Sequence, residues 1–172
     1  MQRVSVLNKQ TALRAKELGR IGETIAPRYL ERAGFERVSD LNEDERQNHP
    51  FFDALASRNG VTYAISIKTR NKFEARSGNL NSRYKLFKRD RIEQVRQAVE
   101  KLSAVPAWLA IQVDGETASI YFGTWDQLAD KTGIPMLPDA IQRYECLANH
   151  EPHGLDIEHL KNTYEIRPAP LP

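Results

Sequence analysis

The chain has a single cysteine, Cys146, which excludes an internal disulfide and any paired-cysteine zinc site. No run of about 18 apolar residues occurs, so no membrane-spanning helix is predicted. The opening MQRVSVLNKQTALRAK lacks the apolar stretch of a secretory signal. These absences together predict a cytoplasmic protein in a reducing compartment, with no membrane association. A dominant charge is missing too. The 25 Lys and Arg against 23 Asp and Glu leave a net +2, so any strongly charged surface must be local. Internal repeats and low-complexity segments are also absent. The 172 residues suit one domain with a full core, predicted over 1–166, with a loose Pro-rich tail over 167–172.

The stretch Phe51–Arg70, FFDALASRNGVTYAISIKTR, organises the rest. It reads as two strands around Asn59-Gly60, a dipeptide suited to the positive φ of a type I′ hairpin turn. With those two residues as the loop, Arg58 pairs with Val61 and Asp53 falls opposite Ser66, with Lys68 its diagonal neighbour. Strand alternation then puts Asp53, Ser66 and Lys68 on one face. Phe52, Ala54, Ala56, Tyr63, Ile65 and Ile67 fall on the other, as a core face. A carboxylate, a hydroxyl and an ammonium meeting on an apolar sheet mark either a site or a surface ion pair.

Upstream, residues 11–33 have helical spacing in Leu18, Ile21, Ile25, Tyr29, Leu30 and Ala33, and Gly34 is a natural stop. Pro27 is expected to kink or divide this helix near Glu23–Pro27. Gly19 and Gly22 weaken a helix, so their presence points to close approach to a sheet. Such an approach lets Glu23 reach over it, the alternative being an exposed helix charge. Phe35–Leu41 reads as a first strand near an edge, and residues 42–50 as a polar loop with acids Glu43, Asp44 and Glu45, ending in His49-Pro50.

Downstream lies the most basic part of the chain. Arg70, Lys72, Arg76, Arg83, Lys85 and Lys88 are interleaved with Phe73, Tyr84 and Phe87 in a Gly/Ser/Asn-rich setting. Bases for phosphates and rings for stacking suit a nucleic-acid backbone, and a solvated charge run is the plainer reading. Asp90 is predicted to cap a helix over 91–103, followed by a buried strand over 107–113, a turn at Asp114-Gly115 and a strand over 118–125. A short helix or turn over 125–132 and helices over 138–148 and 155–164 complete a three-layer α/β/α arrangement, a mixed central sheet with helices on both faces. His150, Glu151, His153 and His159 lack the spacing of a metal cluster.

Gly22-Glu23, then Asp53, then Ser66-Ile67-Lys68, with Gly34-Phe35 closing the first helix, resembles the PD-(D/E)XK nuclease superfamily over roughly residues 18–113. The likeness is to its archaeal Holliday-junction-resolvase and restriction-endonuclease-like branch. The resemblance implies a restriction-endonuclease-like fold. It also implies a Mg²⁺ (or Mn²⁺) site held by Glu23 and Asp53, with Lys68 beside the attacking water, and hydrolysis of phosphodiester bonds in DNA. Some nucleases that cut both strands act as homodimers. Ser66 departs from the pattern, because the family places an acid there and a hydroxyl is a poorer ligand for a hard cation. Two readings follow. Glu23 serves with Asp53 while Ser66 holds a water, or the metal site is lost and a nucleic-acid- or protein-binding module remains. A third class, an interaction protein using its basic loop on an acidic partner, predicts no competition by nucleic acid. On the degenerate-nuclease reading, Ser66→Glu is expected to restore metal binding or cleavage.

Overall fold

The computed structural model describes residues 15–41 and 50–155. Helix α1 (Ala15–Arg32) leads into β1 (Glu36–Asp40), the hairpin β2 (Ala54–Arg58) and β3 (Val61–Asn71), and a short β4 (Arg83–Lys85). Helix α2 (Ile92–Leu102), β5 (Val105–Asp114) and β6 (Thr117–Thr124) follow, then β7 (Gly133–Pro135), the one-turn helix α3 (Pro138–Ile141) and β8 (Glu145–Pro152). One mixed six-stranded sheet runs in the order β1-β2-β3-β5-β6-β8, and β4 pairs with β7 in a separate ribbon. Within the large sheet β3 and β5 are parallel and the other neighbours antiparallel. Parallel strands need a long crossover, and α2 lies in that connection.

Each face of the sheet is covered, which makes the α/β class and its three layers a property of the core itself. On one face Leu18, Ile21, Ile25 and Leu30 of α1 pack on Ile65, Leu109, Ile111 and Ile120. On the other, Val95 of α2 joins Phe52, Ala64, Trp108, Tyr84 and Phe87. The sidedness of β5 follows from strand period: Leu109 and Ile111 face α1, while Trp108 and Ala110 face α2. Gly34, at φ +91°, ends α1 in a conformation that side chains resist.

Gly22 is where the helix comes closest to the sheet. A Cβ there would lie 2.1 Å from Thr69 Oγ1 and 3.7 Å from Ile111 Cδ1, so only hydrogen fits. Gly19 meets nothing within 4 Å of its would-be Cβ, so the close approach belongs to Gly22 alone of the two.

The structure corrects several expectations. Helix α1 runs undivided through Pro27. Glu23 carbonyl lacks the N–H it would have met there, and the packing of Ile25, Tyr29 and Leu30 carries the helix across. Asp90 does not cap α2. It sits inside a 3₁₀ turn over Arg89–Arg91, and the cap position falls on Arg91 with no side-chain bond. The helix expected over 138–148 stops after one turn at Ile141, and Glu145–Pro152 is instead an edge strand paired with β6. Glu43, Asp44, Glu45, His49 and His159, the start of the first helix before Ala15, the helix beyond Leu155 and the terminal tail lie outside the described residues.

Candidate active site

The hairpin ladder has the predicted register from Arg58↔Val61 to Ala54↔Ile65, with Asn59 and Gly60 both at positive φ. It breaks at Asp53. The Asp53 N–H donates to the Ile65 carbonyl at 2.8 Å, so Asp53 does not stand squarely opposite Ser66. Its carboxylate Oδ2 accepts the Ile67 N–H at 2.7 Å, standing in for a ladder carbonyl. A one-residue slip turns side chains to the other face. Phe52 accordingly packs with the α2-side core, not beside Ala56 and Ile65 as expected.

Beyond this break β3 continues to Asn71 without a partner in β2. A cleft of about 640 Å³ opens along it, roofed by α1 and bounded by the end of β1. Glu23, Asp53, Lys68 and Arg70 all line it, with Pro27, Leu30 and Val38 as apolar wall. Three elements therefore bring three of the four predicted catalytic residues to one cavity. Glu23 follows Gly22 on the helix, Asp53 precedes β2, and Lys68 lies on the outrunning part of β3.

Lys68 is the electrostatic centre of this cleft. Burial pushes its ammonium below the ordinary lysine range, the Asp53 carboxylate opposes that, and Arg70 adds to it. Arg70 Nη1 donates to the Thr69 carbonyl at 2.8 Å, folding the guanidinium back along its own strand at the rim.

Ser66 is placed elsewhere. It is fully buried, donates its hydroxyl to the Phe51 carbonyl at 2.6 Å, and does not line the cleft. Its hydroxyl is thus occupied in tying the segment before β2 to β3.

The basic segment divides in the same way. Arg76, Lys85 and Lys88 are exposed, and Lys72 lies 3.8 Å from Asp114 and over the Phe73 ring. Arg83 meets Thr132 and Asp130, and Arg89 meets the same carboxylate at 3.5 Å. Tyr84, expected to stack on a base, is instead fully buried in the α2-side core, its hydroxyl raised above the ordinary tyrosine range by burial. Phe87 is buried with it, because residues at 84, 86 and 87 form an apolar patch beneath α2 and the β7 ribbon.

One further acid lines the cleft that the sequence reading passed over, Asp40. Its neighbours define its side: Leu41 packs with the α2-side core and Val38 with the α1-side core, so alternation turns Asp40 toward α1. It pairs with Ala54, the residue after Asp53. The signal available in the sequence was its place at the end of an edge strand leading to the hairpin.

Among the described residues no three His, Cys, Asp or Glu side chains are gathered closely enough to hold a metal ion alone. The cleft nevertheless offers carboxylate oxygen, and Mg²⁺ usually takes only one or two carboxylates, completing its shell with water and substrate phosphate. The donor chemistry fits a hard divalent cation. His153 is not part of any such set. It is buried, with Nε2 on the Gly115 carbonyl at 2.9 Å and Nδ1 accepting the Leu155 N–H at 3.1 Å.

Among the described residues no helix is long and apolar enough to cross a membrane. Neither a protein-family model nor a curated protein matches the chain. Among solved structures it is similar to Hjc, a Holliday junction resolvase from the archaeal hyperthermophile Archaeoglobus fulgidus, at 14% identity and a TM-score of 0.49, covering 77% of this chain and 96% of that one.

Proposed function

We propose that this protein hydrolyses phosphodiester bonds in DNA with a divalent metal ion, at the cleft between α1 and the free end of β3. The observation that carries the reading is that Glu23, on the exposed side of α1, lines one cavity with Asp53 and the half-buried Lys68. Asp53 and Glu23 are the residues that would hold Mg²⁺ or Mn²⁺. Such an ion, when bound, polarises the scissile phosphate and lowers the pKa of a water. Asp53 is pre-oriented for this by the Ile67 N–H, which fixes one carboxylate oxygen before any ligand arrives.

Lys68 holds the proton inventory of the site. Its depressed pKa brings the neutral amine closer to physiological pH, where Nζ can take a proton from the attacking water and afterwards carry positive charge beside the phosphate. Arg70 at the rim neutralises a neighbouring phosphate, and the exposed Arg76, Lys85 and Lys88 extend that charge along the strand.

The test is cleavage of branched, duplex and single-stranded DNA with Mg²⁺ or Mn²⁺. Cleavage abolished by Asp53→Asn and by Lys68→Ala is expected. Intact substrates under every one of these conditions overturn the enzyme. One observation favours a second reading, a module that binds nucleic acid without cutting it: the family's acid position carries Ser66, sealed against Phe51. That module predicts salt-sensitive, metal-independent binding that survives Asp53→Asn.

A further inference from the structure

We propose that the contact between Gly22 and Thr69 is the spacer that sets the distance from the helix acid to the strand cations. Gly22 and Thr69 are thus positioning residues of the cleft; the inference rests on the hydrolytic reading above.

Thr69 sits between Lys68 and Arg70 on β3, and Gly22 immediately precedes Glu23 on α1. The buried Thr69 side chain faces α1, and its neighbours Lys68 and Arg70, which alternation turns toward the other face of β3, line the same cleft along the edge that β2 leaves open. It abuts the helix backbone at Gly22 so closely that a Cβ on Gly22 would lie 2.1 Å from its Oγ1 and 3.3 Å from its Cβ. The Thr69 carbonyl meanwhile receives the Arg70 guanidinium. One residue therefore fixes the rim cation through its backbone and the helix height through its side chain. Any side chain at 22 lifts the part of α1 that bears Glu23, and a displacement near 1 Å costs on the order of 100-fold in rate when groups must be aligned.

The geometry also specifies a repair. Thr69 Oγ1 is the clashing atom, while Thr69 Cβ, at 3.3 Å, needs to yield by only a few tenths of an ångström. Removing the hydroxyl makes room for the methyl group of an alanine at 22.

The experiment is a double-mutant cycle of Gly22→Ala, Thr69→Ala and both together, read as kcat, KM, Mn²⁺ affinity by calorimetry, and Tm. Asp53→Asn is measured alongside. Gly22→Ala is expected to lower kcat at least thirtyfold (on the order of the misalignment effect above), to weaken Mn²⁺ binding, and to leave KM nearly unchanged, because the exposed bases still grip the substrate. The double variant is expected to regain at least tenfold in kcat over Gly22→Ala, a strongly non-additive result. Additive effects, or a folded Gly22→Ala with wild-type kcat and Mn²⁺ affinity, overturn the inference while an inactive Asp53→Asn keeps the hydrolytic reading intact. Should Gly22→Ala not fold, the double variant decides alone: folded and active sustains the spacer, unfolded or folded and inactive refutes it. A wild-type protein that neither cleaves DNA nor binds Mn²⁺ removes the reading and the spacer with it.

Discussion

The carboxylate of Asp53 takes the place of a backbone carbonyl, accepting the Ile67 N–H at 2.7 Å where the β2–β3 ladder breaks. One side chain thus closes a sheet and presents an acid to the cleft. Asn keeps an acceptor in that position and Ala does not. Asp53→Asn is expected to fold with a Tm close to wild type and to be inactive. Asp53→Ala is expected to lose a further 1–3 kcal/mol, about the cost of stranding a half-buried donor. Urea denaturation of the two variants side by side checks this, and equal stability of the pair contradicts it.

Lys68 carries an opposite trade. Its folded pKa lies below its unfolded value because burial outweighs Asp53. Between those two values the unfolded chain holds a proton that the folded chain has released, so stability gains as pH rises through this window. Lys68→Met is expected to erase that slope, to leave Tm at neutral pH equal to or above wild type, and to abolish cleavage. The same titration predicts that kcat/KM climbs with pH toward an apparent pKa below the ordinary lysine value of about 10.4. Thermal melts across pH, with a pH–rate profile, test both statements, and a destabilised Lys68→Met at neutral pH counts against them.

Much of this site was legible because its determinants are local. Asn59-Gly60 fixed the hairpin register through turn geometry, the spacing of Leu18, Ile21 and Ile25 fixed the inner face of α1, and Gly22 announced its close approach. What escaped was decided by tertiary contacts. Ser66 and Lys68 are two residues apart on one strand, yet the first is sealed under Phe51 and the second reaches a cleft, because pairing with β2 stops at Ile65 and only the segment at Phe51 continues over Ser66. Tyr84 looks like a surface ring among bases until α2 and β7 cover it. Glu145–Pro152 has no alternating apolar pattern and becomes a strand because β6 offers an open edge.

The burial of Ser66 reverses the expectation for Ser66→Glu. A carboxylate at that position enters a dry, packed interior and displaces the bond to the Phe51 carbonyl. The variant is expected to lose several kcal/mol of stability, as unpaired buried charges do, without gaining metal affinity. Calorimetric Mn²⁺ titration of the folded fraction measures it. A stable Ser66→Glu protein with tightened Mn²⁺ binding shows that the side chain reaches the cleft after all.

Asp130 governs the ribbon that carries part of the basic segment. Thr132 supplies it two hydrogen bonds, from the hydroxyl at 2.7 Å and the N–H at 2.9 Å, and Arg83 and Arg89 flank it. These partners pull its carboxyl down to about 2, the Thr132 bonds first and the arginines after. A folded pKa below the unfolded one, about 3.9, gives stability present above that upper value and lost as pH falls through the lower. Asp130→Asn is expected to be the weaker protein at neutral pH, with the gap narrowing as pH falls toward 2 and closing only below it. Denaturant midpoints over that range decide it, and a constant gap between the two proteins at all pH values speaks against the clasp.

The last strand of the sheet clasps elements that were made first. Arg58 on β2 lies over the Phe35 and Phe122 rings and donates to Glu145 from Nη1 and Nη2, at 2.6 and 2.7 Å, while Arg32 at the end of α1 grips Glu151. During synthesis the hairpin and the helix that frame the cleft thus emerge well ahead of the partners that fasten them. A chain halted before residue 145 already contains every residue that lines the cleft, yet leaves Arg58 and Arg32 without the carboxylates of Glu145 and Glu151 that tie the hairpin and the helix to the far edge of the sheet.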